Sequence, residues 1–511
     1  MPHYFLGTDN GGTMSKAALV SLDGREVAVA GRKTEMISPC PGHTERDVER
    51  LWQATAESIR AVMTESRVAP RDVLCVACTG HGNGLYLVDR QGRPVRNGII
   101  STDSRAKDYV ARWYADGTHR AILPRTMQSL WPGQPNALLA WLRDHEPDTL
   151  RRAGWALMCK DYVRFRLTGQ VCGELTDMSG TSLVDVARGE YDDTLLDAFG
   201  LADFRRLLPP IKRSEEICGE VTAQAAAETG LRPGTPVAGG LFDIDACALA
   251  CGIVDESQLS LVAGTWSINQ CISRTPVIEE DLFMCSRYCI PGYYLVPEAS
   301  PTSASNLEWF VTQFIEPLGP LSADAAAGSE GARRSVYDLV NELVAATTPE
   351  DASILFLPFL FGSNAAPDAK ACFLGLNGWH TRGHVLRAVQ EGVVFSHRAH
   401  VDRLMRFRAP ASSIRLTGGG ARSKAWVQMF ADAFQLPVEV PSGTELGAVG
   451  AAIAASVAVG CHGTYEEAVR RMVRVAAVHE PDPTRKDVYA RKYDRYKLAL
   501  ESLGRVWKEL A

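Results

Sequence analysis

The chain has 511 residues, of which 46% are hydrophobic, and its 54 lysines and arginines against 60 acidic residues give a formal net charge of −6. This length exceeds what one hydrophobic core usually serves, so we expect two domains of about 200–250 residues each. Without a basic surplus, neither nucleic acid nor an anionic membrane is an expected partner, although a local basic patch stays open. The first residues lack a basic stretch followed by an apolar core, and the late apolar stretch 447–460 is too short to span a bilayer, which predicts a cytoplasmic protein.

The first predicted element is a β-hairpin with a glycine-rich tip. The apolar run Tyr4-Phe5-Leu6 leads into Gly7-Thr8-Asp9-Asn10-Gly11-Gly12-Thr13, and a second apolar run follows at 17–20. A similar strand, turn and strand returns in mid-chain around Ala263-Gly264-Thr265-Trp266-Ser267. Glycines let backbone N–H groups approach phosphate oxygens, and a carboxylate at a strand end can hold Mg²⁺ through water. One such turn is compatible with an ordinary hairpin, whereas two favour related domains that bind one phosphate-bearing ligand.

Helices and strands alternate through the rest of the first half. A strand at 73–78 leads into the glycine-rich segment 79–84 and a strand at 85–88, and helical patterns follow at 136–144 and 159–167. A strand rather than a helix follows these glycines, which excludes a Rossmann site, and the chain has no Gly-Lys-Ser/Thr of a P-loop. The pattern is that of an α/β domain. An amphipathic helix precedes it, in which the apolar residues at helical spacing are Val48, Leu51, Trp52, Ile59 and Val62.

The thirteen cysteines lack the spacing of a disulfide or zinc framework. Cys75 and Cys78 match the C-x-x-C pattern, but they lie in the strand-like run, where residues three apart point to opposite faces. Two such sulfurs cannot share one metal ion. We therefore predict buried structural thiols.

The sharpest candidate domain boundary is Leu231-Arg232-Pro233-Gly234-Thr235-Pro236. We expect domains at 1–244 and 245–475, followed by a C-terminal amphipathic helix within 476–511 that packs back on the body. Residues 321–334 are rich in Ala, Ser, Gly and Arg and are expected to form a loop or insertion. A late α/β region is predicted over 414–430.

Several segments resemble those of a known family. The two glycine turns are similar to the phosphate loops of the actin, Hsp70 and sugar-kinase superfamily. Further segments narrow the likeness, over nearly the whole chain, to the FGGY family of carbohydrate kinases and its xylulokinase and L-xylulose kinase group. These segments are Ile99-Ile100-Ser101-Thr102-Asp103-Ser104-Arg105, Trp131-Pro132-Gly133-Gln134-Pro135, Gly239-Gly240-Leu241-Phe242-Asp243 and Glu298-Ala299-Ser300-Pro301-Thr302. The resemblance implies a two-domain actin-like (ribonuclease H-like) α/β ATPase fold with an interdomain cleft, and ATP and Mg²⁺ as cofactors.

The resemblance assigns the catalytic base to Asp243. Phosphoryl transfer to a sugar hydroxyl needs a group that accepts the alcohol proton. Asp243 follows a strand and two glycines, as the corresponding aspartate does in the family. Asp245 is a rival that its position alone does not exclude. The structural alternative for Asp243 is an N-cap of a helix that starts near Ala246.

The resemblance also implies a nucleotide and metal site. Asp9 is expected to hold Mg²⁺, through water. Gly12 stands where the family has a threonine, so Thr13 would supply that hydroxyl, and Lys16 has an ordinary surface cation as its alternative. Trp426 is expected in the core rather than against a base, and Gln390 departs from the second family signature. The residues expected to bind nucleotide are Gly11, Gly12, Thr13, Lys16, Gly264, Thr265, Gly418, Gly419, Gly420 and Ser423.

Sugar contacts are expected mainly from the first domain. Asp103 and Arg105 occupy a motif that reaches sugar hydroxyls in this family, and a surface ion pair is their alternative. The segment 79–84 departs from the Ser-Gly-Gln-Met-His-Gly of xylulokinases, which weakens the expectation of D-xylulose. The complete expected set is His81, Gly82, Asn83, Asp103, Arg105, Trp131, Gln134, Asp243, Glu298 and Asn306.

The resemblance thus predicts an ATP-dependent kinase that phosphorylates a ketopentose, D- or L-xylulose, at its terminal hydroxyl to give the 5-phosphate. Two alternatives stay open. One is an FGGY kinase for ribulose or another polyol, because single contacts separate isomers by only a few kcal/mol. The other is an actin/Hsp70-like ATP-driven binding module without sugar chemistry. We expect the sugar and ATP as small-molecule partners and allow for a homodimer.

Overall fold

The computed structural model describes residues 3–316, 335–351, 353–363 and 368–510, so the loop expected at 321–334 lies outside the described residues. The chain divides into two compact units, and each is described by itself. The predicted limits 1–244, 245–475 and 476–511 stay a prediction. The first unit consists of Met1–Asp255, Ile272–Val296 and Ser442–Arg474, and the second consists of Glu256–Cys271, Pro297–Pro441 and Val475–Ala511.

A mixed sheet forms the centre of the first unit. The strand Val73–Gly80 runs parallel to Tyr4–Asn10, Pro236–Ala238 and Leu241–Phe242. It is almost wholly buried, as expected for a strand of a sheet that is covered on both faces. In spatial order the strands are Ile217–Glu220, Pro236–Ala238, Val73–Gly80, Tyr4–Asn10, Met14–Ser21 and Glu26–Lys33, with Leu241–Phe242 also paired to Val73–Gly80.

Alternate residues of the first hairpin face two different cores, as the period of a β-strand requires. Leu6 packs with the helix Val48–Ser66, and Phe5 packs with the helix Leu446–Ala458. The helices of the first unit are Val48–Ser66, Lys107–Ala115, Thr118–Thr126, Pro135–His145, Pro147–Arg152, Cys159–Thr168, Leu175–Met178, Asp193–Ala198, Ala223–Thr229, Asp243–Ala250, Leu446–Ala458 and Tyr465–Met472. Its shorter strand pairs are Glu45–Arg46 with Gly98–Ile99, Tyr86–Val88 with Trp155–Leu157, Gly173–Glu174 with Ile211–Lys212, and Val184–Asp185 with Glu190–Tyr191.

The close approach of the helix Leu446–Ala458 depends on two glycines. A Cβ at Gly7 would lie 1.8 Å from the carbonyl oxygen of Ala448, and a Cβ at Gly450 would lie 2.0 Å from the carbonyl oxygen of Ala246. Both distances are far below van der Waals contact, so any larger residue would push the helix away. The glycines therefore bring a segment from late in the chain against the N-terminal hairpin.

The second unit repeats the arrangement of a hairpin and a third strand. Gln258–Ala263 pairs antiparallel with Ser267–Ser273 and parallel with Ser413–Thr417. Tyr4–Asn10 has the same two kinds of neighbour in the first unit. The seven strands of the sheet lie in the spatial order Ser286–Arg287, Tyr294–Ser300, Ser267–Ser273, Gln258–Ala263, Ser413–Thr417, Val438–Pro441 and Val475–His479. The predicted duplication is confirmed in the backbone.

A long helix at the end of the chain belongs to the second unit. It spans Lys486–Leu510, and the rings of Tyr489, Tyr493 and Tyr496 are buried around Phe395. The helices of this unit are Ser305–Phe310, Val336–Ala345, Arg382–Leu404, Lys424–Phe434 and Lys486–Leu510, and Leu355–Leu357 pairs with Cys372–Leu374. Among the described residues, no helix is both long and apolar enough to cross a membrane.

All thirteen cysteines are free thiols, and most are buried, as predicted. The expectation fails at Cys40 and Cys461, which are exposed, and at Cys247 and Cys372, which are half-buried. Cys40 and Cys461 lie in turns between elements, where side chains are commonly exposed. The composition of the chain does not distinguish such positions from buried ones.

Candidate active site

Asp9 and Asp243 lie at the same end of the strand Val73–Gly80. The residues next to them in the sequence, Asn10 and Phe242, both stand beside the last residue of that strand. The three strands run parallel, so their carboxyl ends meet at one edge of the sheet, where α/β proteins commonly bind ligands. Both side chains are half-buried rather than sealed in the core. The structure therefore brings two of the predicted residues together at an accessible sheet edge.

The two carboxyl groups have raised pKa values. Burial raises the pKa of Asp9 to about 6, against the opposing effect of the Lys16 ammonium. Burial also raises the pKa of Asp243 well above its ordinary value, and the negative charges of Asp9 and Asp177 raise it further. A carboxyl group whose pKa lies closer to neutrality is a better proton acceptor than an ordinary aspartate. The environment of Asp243 therefore suits a general base.

The helix after this strand begins at Asp243, with Phe242 as the residue before it. The expected start near Ala246 is wrong, and so is the alternative in which Asp243 merely caps such a helix. The strand pairing of Leu241 and Phe242 ends directly at Asp243, which leaves no room for an intervening turn. Asp245 is fully buried, and burial raises its pKa together with the charges of Glu174 and Asp177. Of the two aspartates, only Asp243 is partly accessible.

Lys16 stands opposite Asp9 across the hairpin, so both side chains lie on one face of the sheet. Its ammonium forms an ion pair with Glu445, with Nζ 2.7 Å from Oε2. The backbone N–H groups of Thr444 and Glu445 in turn donate to the Glu26 carboxylate, each at 2.8 Å. Lys16 is therefore a held, partly buried cation and not the ordinary surface lysine that was its alternative.

The tip of the first hairpin is accessible, and a buried arginine donates hydrogen bonds to its carbonyl oxygens. Gly12 and Thr13 are exposed, and Gly11 is half-buried. The guanidinium of Arg46, itself buried, donates to the carbonyl oxygens of Gly11 and Gly12. Arg46 lies in the short strand Glu45–Arg46 and was not among the predicted site residues. Its contact joins residues more than thirty positions apart, which no local pattern predicts.

The three segments expected to contact the sugar meet in the first unit. The backbone N–H of Gly84 donates to the carbonyl oxygen of Gly133 at 2.9 Å, and a Cβ at Gly133 would lie 2.0 Å from the carbonyl oxygen of Ser101. A Cβ at Gly82 would lie 2.1 Å from the ring of Phe242, next to Asp243. These contacts bring together the loops that carry His81, Asp103 and Trp131.

Several of these side chains are already bonded within the protein. The imidazole Nε2 of His81 lies 2.9 Å from the Tyr86 hydroxyl, and burial lowers the pKa of His81 to about 3, so this ring is neutral. The Gln134 amide accepts from the Trp131 N–H and donates to Gln128. Asn83 is buried at a φ of 59°, and its Oδ1 has no hydrogen-bond partner among the described residues.

Asp103 and Arg105 form a buried pair, so the alternative of a surface ion pair is wrong. The Arg105 guanidinium donates to both carboxylate oxygens of Asp103 at 2.9 Å and to Glu45 at 2.8 Å. The Thr44 N–H donates to Asp103 at 2.6 Å. Such a two-point pair is rigid and well suited to fix neighbouring groups. Glu45 was missed, because its contact with Arg105 is made far along the chain.

The predicted nucleotide loops of the second unit lie against each other. A Cβ at Gly418 would lie 2.6 Å from the carbonyl oxygen of Ala263 and 2.9 Å from the backbone nitrogen of Gly264, and Gly418 has a φ of 86°. Both facts require glycine at this position. Gly419 faces open space, and Thr265 is exposed. The unit thus presents bare backbone where these loops meet.

Ser423 and Trp426 follow at the start of the helix Lys424–Phe434. The Ser423 hydroxyl accepts from the Trp426 N–H and donates to Asn341 at 2.7 Å, so it caps the helix. Trp426 is buried, as expected of a core residue, and its indole donates to the carbonyl oxygen of Gln390. Neither amide atom of Gln390 has a partner among the described residues.

Glu298 and Asn306 also lie in the second unit and are fully buried. The Glu298 carboxylate contacts Arg403 and lies 3.3 Å from His400 Nδ1. The Asn306 amide donates to Thr302 and to the carbonyl oxygen of Ser303. Close by in the same unit, the His397 ring contacts Ser303. These contacts order the unit, and a sugar contact by Glu298 or Asn306 stays a prediction.

A buried charge cluster in the first unit escaped sequence reasoning. Lys160 is fully buried, with its ammonium 2.9 Å from Asp161 and 3.4 Å from both Glu174 and Asp177. Burial raises the pKa of Asp177 to about 7, although the Lys160 charge opposes this. Asp177 then raises the pKa of Asp243. The available signal was the adjacent pair Lys160 and Asp161, but the same predicted helix also contains Arg164 and Arg166, so the pair did not stand out.

Comparison with known proteins agrees with this arrangement. Residues 4–250 match the N-terminal domain, and residues 259–459 the C-terminal domain, of the FGGY family of carbohydrate kinases. The chain is 40% identical to an L-xylulose/3-keto-L-gulonate kinase of Escherichia coli (strain K12), over 98% of both chains. It is 38% identical to a probable L-xylulose kinase of Pasteurella multocida (strain Pm70), over 97% of this chain and 98% of that one. The crystal structure of a xylulose kinase from Rhodospirillum rubrum superposes with a TM-score of 0.87 at 29% identity, covering 99% of this chain and 100% of that one.

Proposed function

We propose, since this chain belongs to the FGGY family of carbohydrate kinases and is a sugar kinase, that it transfers the γ-phosphoryl group of ATP to L-xylulose. The acceptor is the terminal hydroxyl, and the product is the 5-phosphate. Because the chain is a sugar kinase, the alternative of an ATP-driven binding module without sugar chemistry is excluded.

The observation that carries this proposal is the environment of Asp243. Its carboxyl group is half-buried at the sheet edge, and its pKa is raised by burial and by two neighbouring carboxylates. In the proposed reaction Asp243 accepts the proton of the sugar hydroxyl as that oxygen attacks phosphorus. Phe242 and Gly82, packed together beside it, restrict water around the reacting hydroxyl.

The phosphates of ATP are assigned to the glycine loops. In the first unit we assign them to Lys16, which Glu445 holds on the same face as Asp9, and to the exposed residues Gly12 and Thr13. In the second unit we assign them to the bare backbone of Gly264 and Gly418–Gly420. Asp9 fits a hydrated Mg²⁺, because the negative charge of Asp9 raises the pKa of the nearby Asp243, and a divalent cation there would offset that repulsion. Held by Asp9, Mg²⁺ would offset the negative charge of the transferring phosphoryl group.

A neutral ketopentose fits the sugar loops better than a sugar acid. The cation of those loops, Arg105, is already bonded to Asp103 and Glu45, so it is not free to bind a substrate carboxylate. Buried polar groups that are already hydrogen-bonded can recognise the arrangement of hydroxyls on a sugar. They discriminate strongly between stereoisomers only where the wrong isomer leaves a hydrogen bond unmade. L-xylulose is preferred over D-xylulose because the two curated relatives named above carry L-xylulose in their names.

Initial rates with Mg-ATP and a sugar panel test this proposal. The panel contains L-xylulose, D-xylulose, L-ribulose, D-ribulose and 3-keto-L-gulonate. A coupled assay monitors ADP release, and NMR determines the position of the phosphate on the product. We expect the highest kcat/KM for L-xylulose and a 5-phosphate product. A higher kcat/KM for D-xylulose or a ribulose would overturn the choice of sugar, and a higher value for 3-keto-L-gulonate would contradict the argument from Arg105.

A further inference from the structure

A large pocket in the first unit lies outside the candidate active site. Its volume is about 830 Å³, which is within the range of small-molecule sites. None of the residues predicted to bind sugar or nucleotide is among the described residues that line it, and Glu190 is the single acidic residue of that lining. Its cationic lining residues are Arg90, Arg188, Arg205, Arg206, Lys212 and Arg213.

The charge of this pocket is only partly compensated. Arg90 and Arg206 donate to main-chain carbonyl oxygens, which carry no formal charge. The other four cations have carboxylate partners, but in pairs that are largely exposed to solvent, and such pairs are weak. These pairs are Arg188 with Glu190 at 3.2 Å, Arg205 with Asp193 at 3.3 Å, Lys212 with Glu216 at 2.9 Å, and Arg213 with Glu215 at 2.8 Å. An anion in the pocket can therefore compete for these side chains.

Aromatic rings orient two of the guanidinium groups. The Arg90 guanidinium lies over the ring of Trp155 at 4.3 Å, and the Arg205 guanidinium lies over the ring of Tyr191 at 4.9 Å. A guanidinium stacked on a ring keeps its N–H groups at the edge of the stack, where they can donate in pairs to phosphate oxygens. The bonds of Arg206 to the carbonyl oxygens of Leu150 and Ala153, both 2.9 Å, fix a third guanidinium in place.

A chain of hydrogen bonds leads from this pocket toward Asp243. Ser214 directly follows Arg213, and its hydroxyl donates to the Glu174 carboxylate at 2.7 Å. The Thr176 hydroxyl donates to the other oxygen of that carboxylate at 2.7 Å and accepts from the Phe242 N–H at 2.9 Å. Asp243 is the next residue. A ligand that displaces Arg213 thus acts on the backbone that positions the proposed base.

From these observations we propose that the pocket is a second binding site, for a small anion with two phosphoryl groups, and that its occupation alters turnover. The ligand is bound by the five arginines and Lys212 that line the cavity, with the stacked guanidinium groups as its fixed donors. Its source is a sugar bisphosphate or a free diphosphate, which share this chemistry. The binding part does not depend on the proposed sugar, and the effect on turnover rests on the proposed function.

Calorimetric titration of inorganic pyrophosphate into the full chain, without Mg²⁺ and at low salt, tests the binding site. The double variant Arg188→Gln/Arg213→Gln should bind about tenfold or more weakly, because each loses a charge-assisted bond. The matched control is Arg71→Gln/Arg120→Gln, which removes the same charge from exposed side chains of the same unit outside the pocket and should bind like wild type. Equal binding by the pocket variant, or no wild-type binding up to about 10 mM, overturns the site.

Two further arms separate this site from the proposed active site. Loss of pyrophosphate binding in Lys16→Ala, with full binding in Arg188→Gln/Arg213→Gln, would place the anion at the hairpin and overturn the proposal. A sugar bisphosphate titrated in the same way identifies the source, since the tighter of the two probes marks it. Pyrophosphate should change kcat in wild type and have at most a third of that effect in Ser214→Ala, and an equal effect in both contradicts the coupling.

Discussion

Replacing Asp243 by asparagine removes the proposed base and keeps the size of the side chain. The amide cannot accept the proton of the attacking hydroxyl, so that proton must pass to solvent. Loss of a general base lowers kcat by about 10²–10⁴, which corresponds to about 3–5 kcal/mol of transition-state stabilisation at 1.36 kcal/mol per factor of ten. The KM for the sugar should change little, because the loss is felt only as the proton moves.

The effect of Asp243→Asn on stability has the opposite sign. The folded-state pKa of Asp243 is raised by burial, Asp9 and Asp177, so the folded protein favours the protonated form. The stability contributed by this group is complete below the ordinary pKa of aspartate, and it is lost as the pH rises through the raised value. At pH 8 the neutral amide should therefore be at least as stable as the wild-type carboxylate. A loss of activity cannot then be ascribed to unfolding.

The assay compares kcat by coupled ADP release with urea unfolding at pH 8, for Asp243→Asn and for Asp245→Asn as the matched control. Asp245 is fully buried, so its amide variant should retain kcat within about threefold of wild type. Near-normal kcat in Asp243→Asn together with an inactive Asp245→Asn would transfer the role to Asp245. Full activity in both would refute the assignment of a carboxylate base from this helix.

Three further predictions test the surroundings of the site. Lys160→Met leaves the buried carboxylates of Glu174 and Asp177 without their cation, whereas Asp161 keeps Arg164 at 3.0 Å. It should lower the free energy of unfolding by about 3–5 kcal/mol in urea, and unchanged stability would contradict the buried cluster. Gly7→Ala should cost at least about 1–3 kcal/mol in the same measurement, because its Cβ would meet the Ala448 carbonyl, whereas Gly12→Ala, whose Cβ would meet nothing within 4 Å, should cost less than 1 kcal/mol if this packing argument holds. Asp103→Asn weakens the pair with Arg105 and should raise the KM for the sugar about tenfold or more, with nucleotide affinity unchanged in calorimetry, and equal weakening of both ligands would remove Asp103 from the sugar site.

Local patterns in the sequence predicted the elements that frame the site. The helix Val48–Ser66 was expected from apolar residues at helical spacing, and the strand Val73–Gly80 from a continuous apolar run. Both signals depend on residues within a few positions of each other. The start of the helix at Asp243 was missed, because an aspartate shortly before a helical run resembles a cap, and here it is the first helical residue.

Contacts between distant segments could not be predicted in the same way. Glu445 reaches Lys16 where glycine at position 7 lets a late helix lie against the first strand, and glycine at position 450 lets the same helix lie against the helix Asp243–Ala250. Arg46 donates to the first loop, and Glu45 accepts from Arg105. Both lie in a two-residue strand, which is too short to have a periodic signal of its own. A residue's role in such contacts depends on which strands become neighbours, and this is a property of the assembled sheet.

The two glycine hairpins share a backbone arrangement but differ in the charge of the residues near their tips. In the first, the facing residues near the tip are Asp9 and Lys16, a carboxylate opposite an ammonium. In the second, the facing residues near the tip are Ala263 and Ser267, which carry no charge. Alanine at 263 is small enough for Gly418 and Gly420 to pack directly against it, so the second turn is closely packed backbone without side-chain charge at these positions. If both turns bind phosphate as proposed, side-chain charge near the phosphate comes from the first turn and close backbone contact from the second.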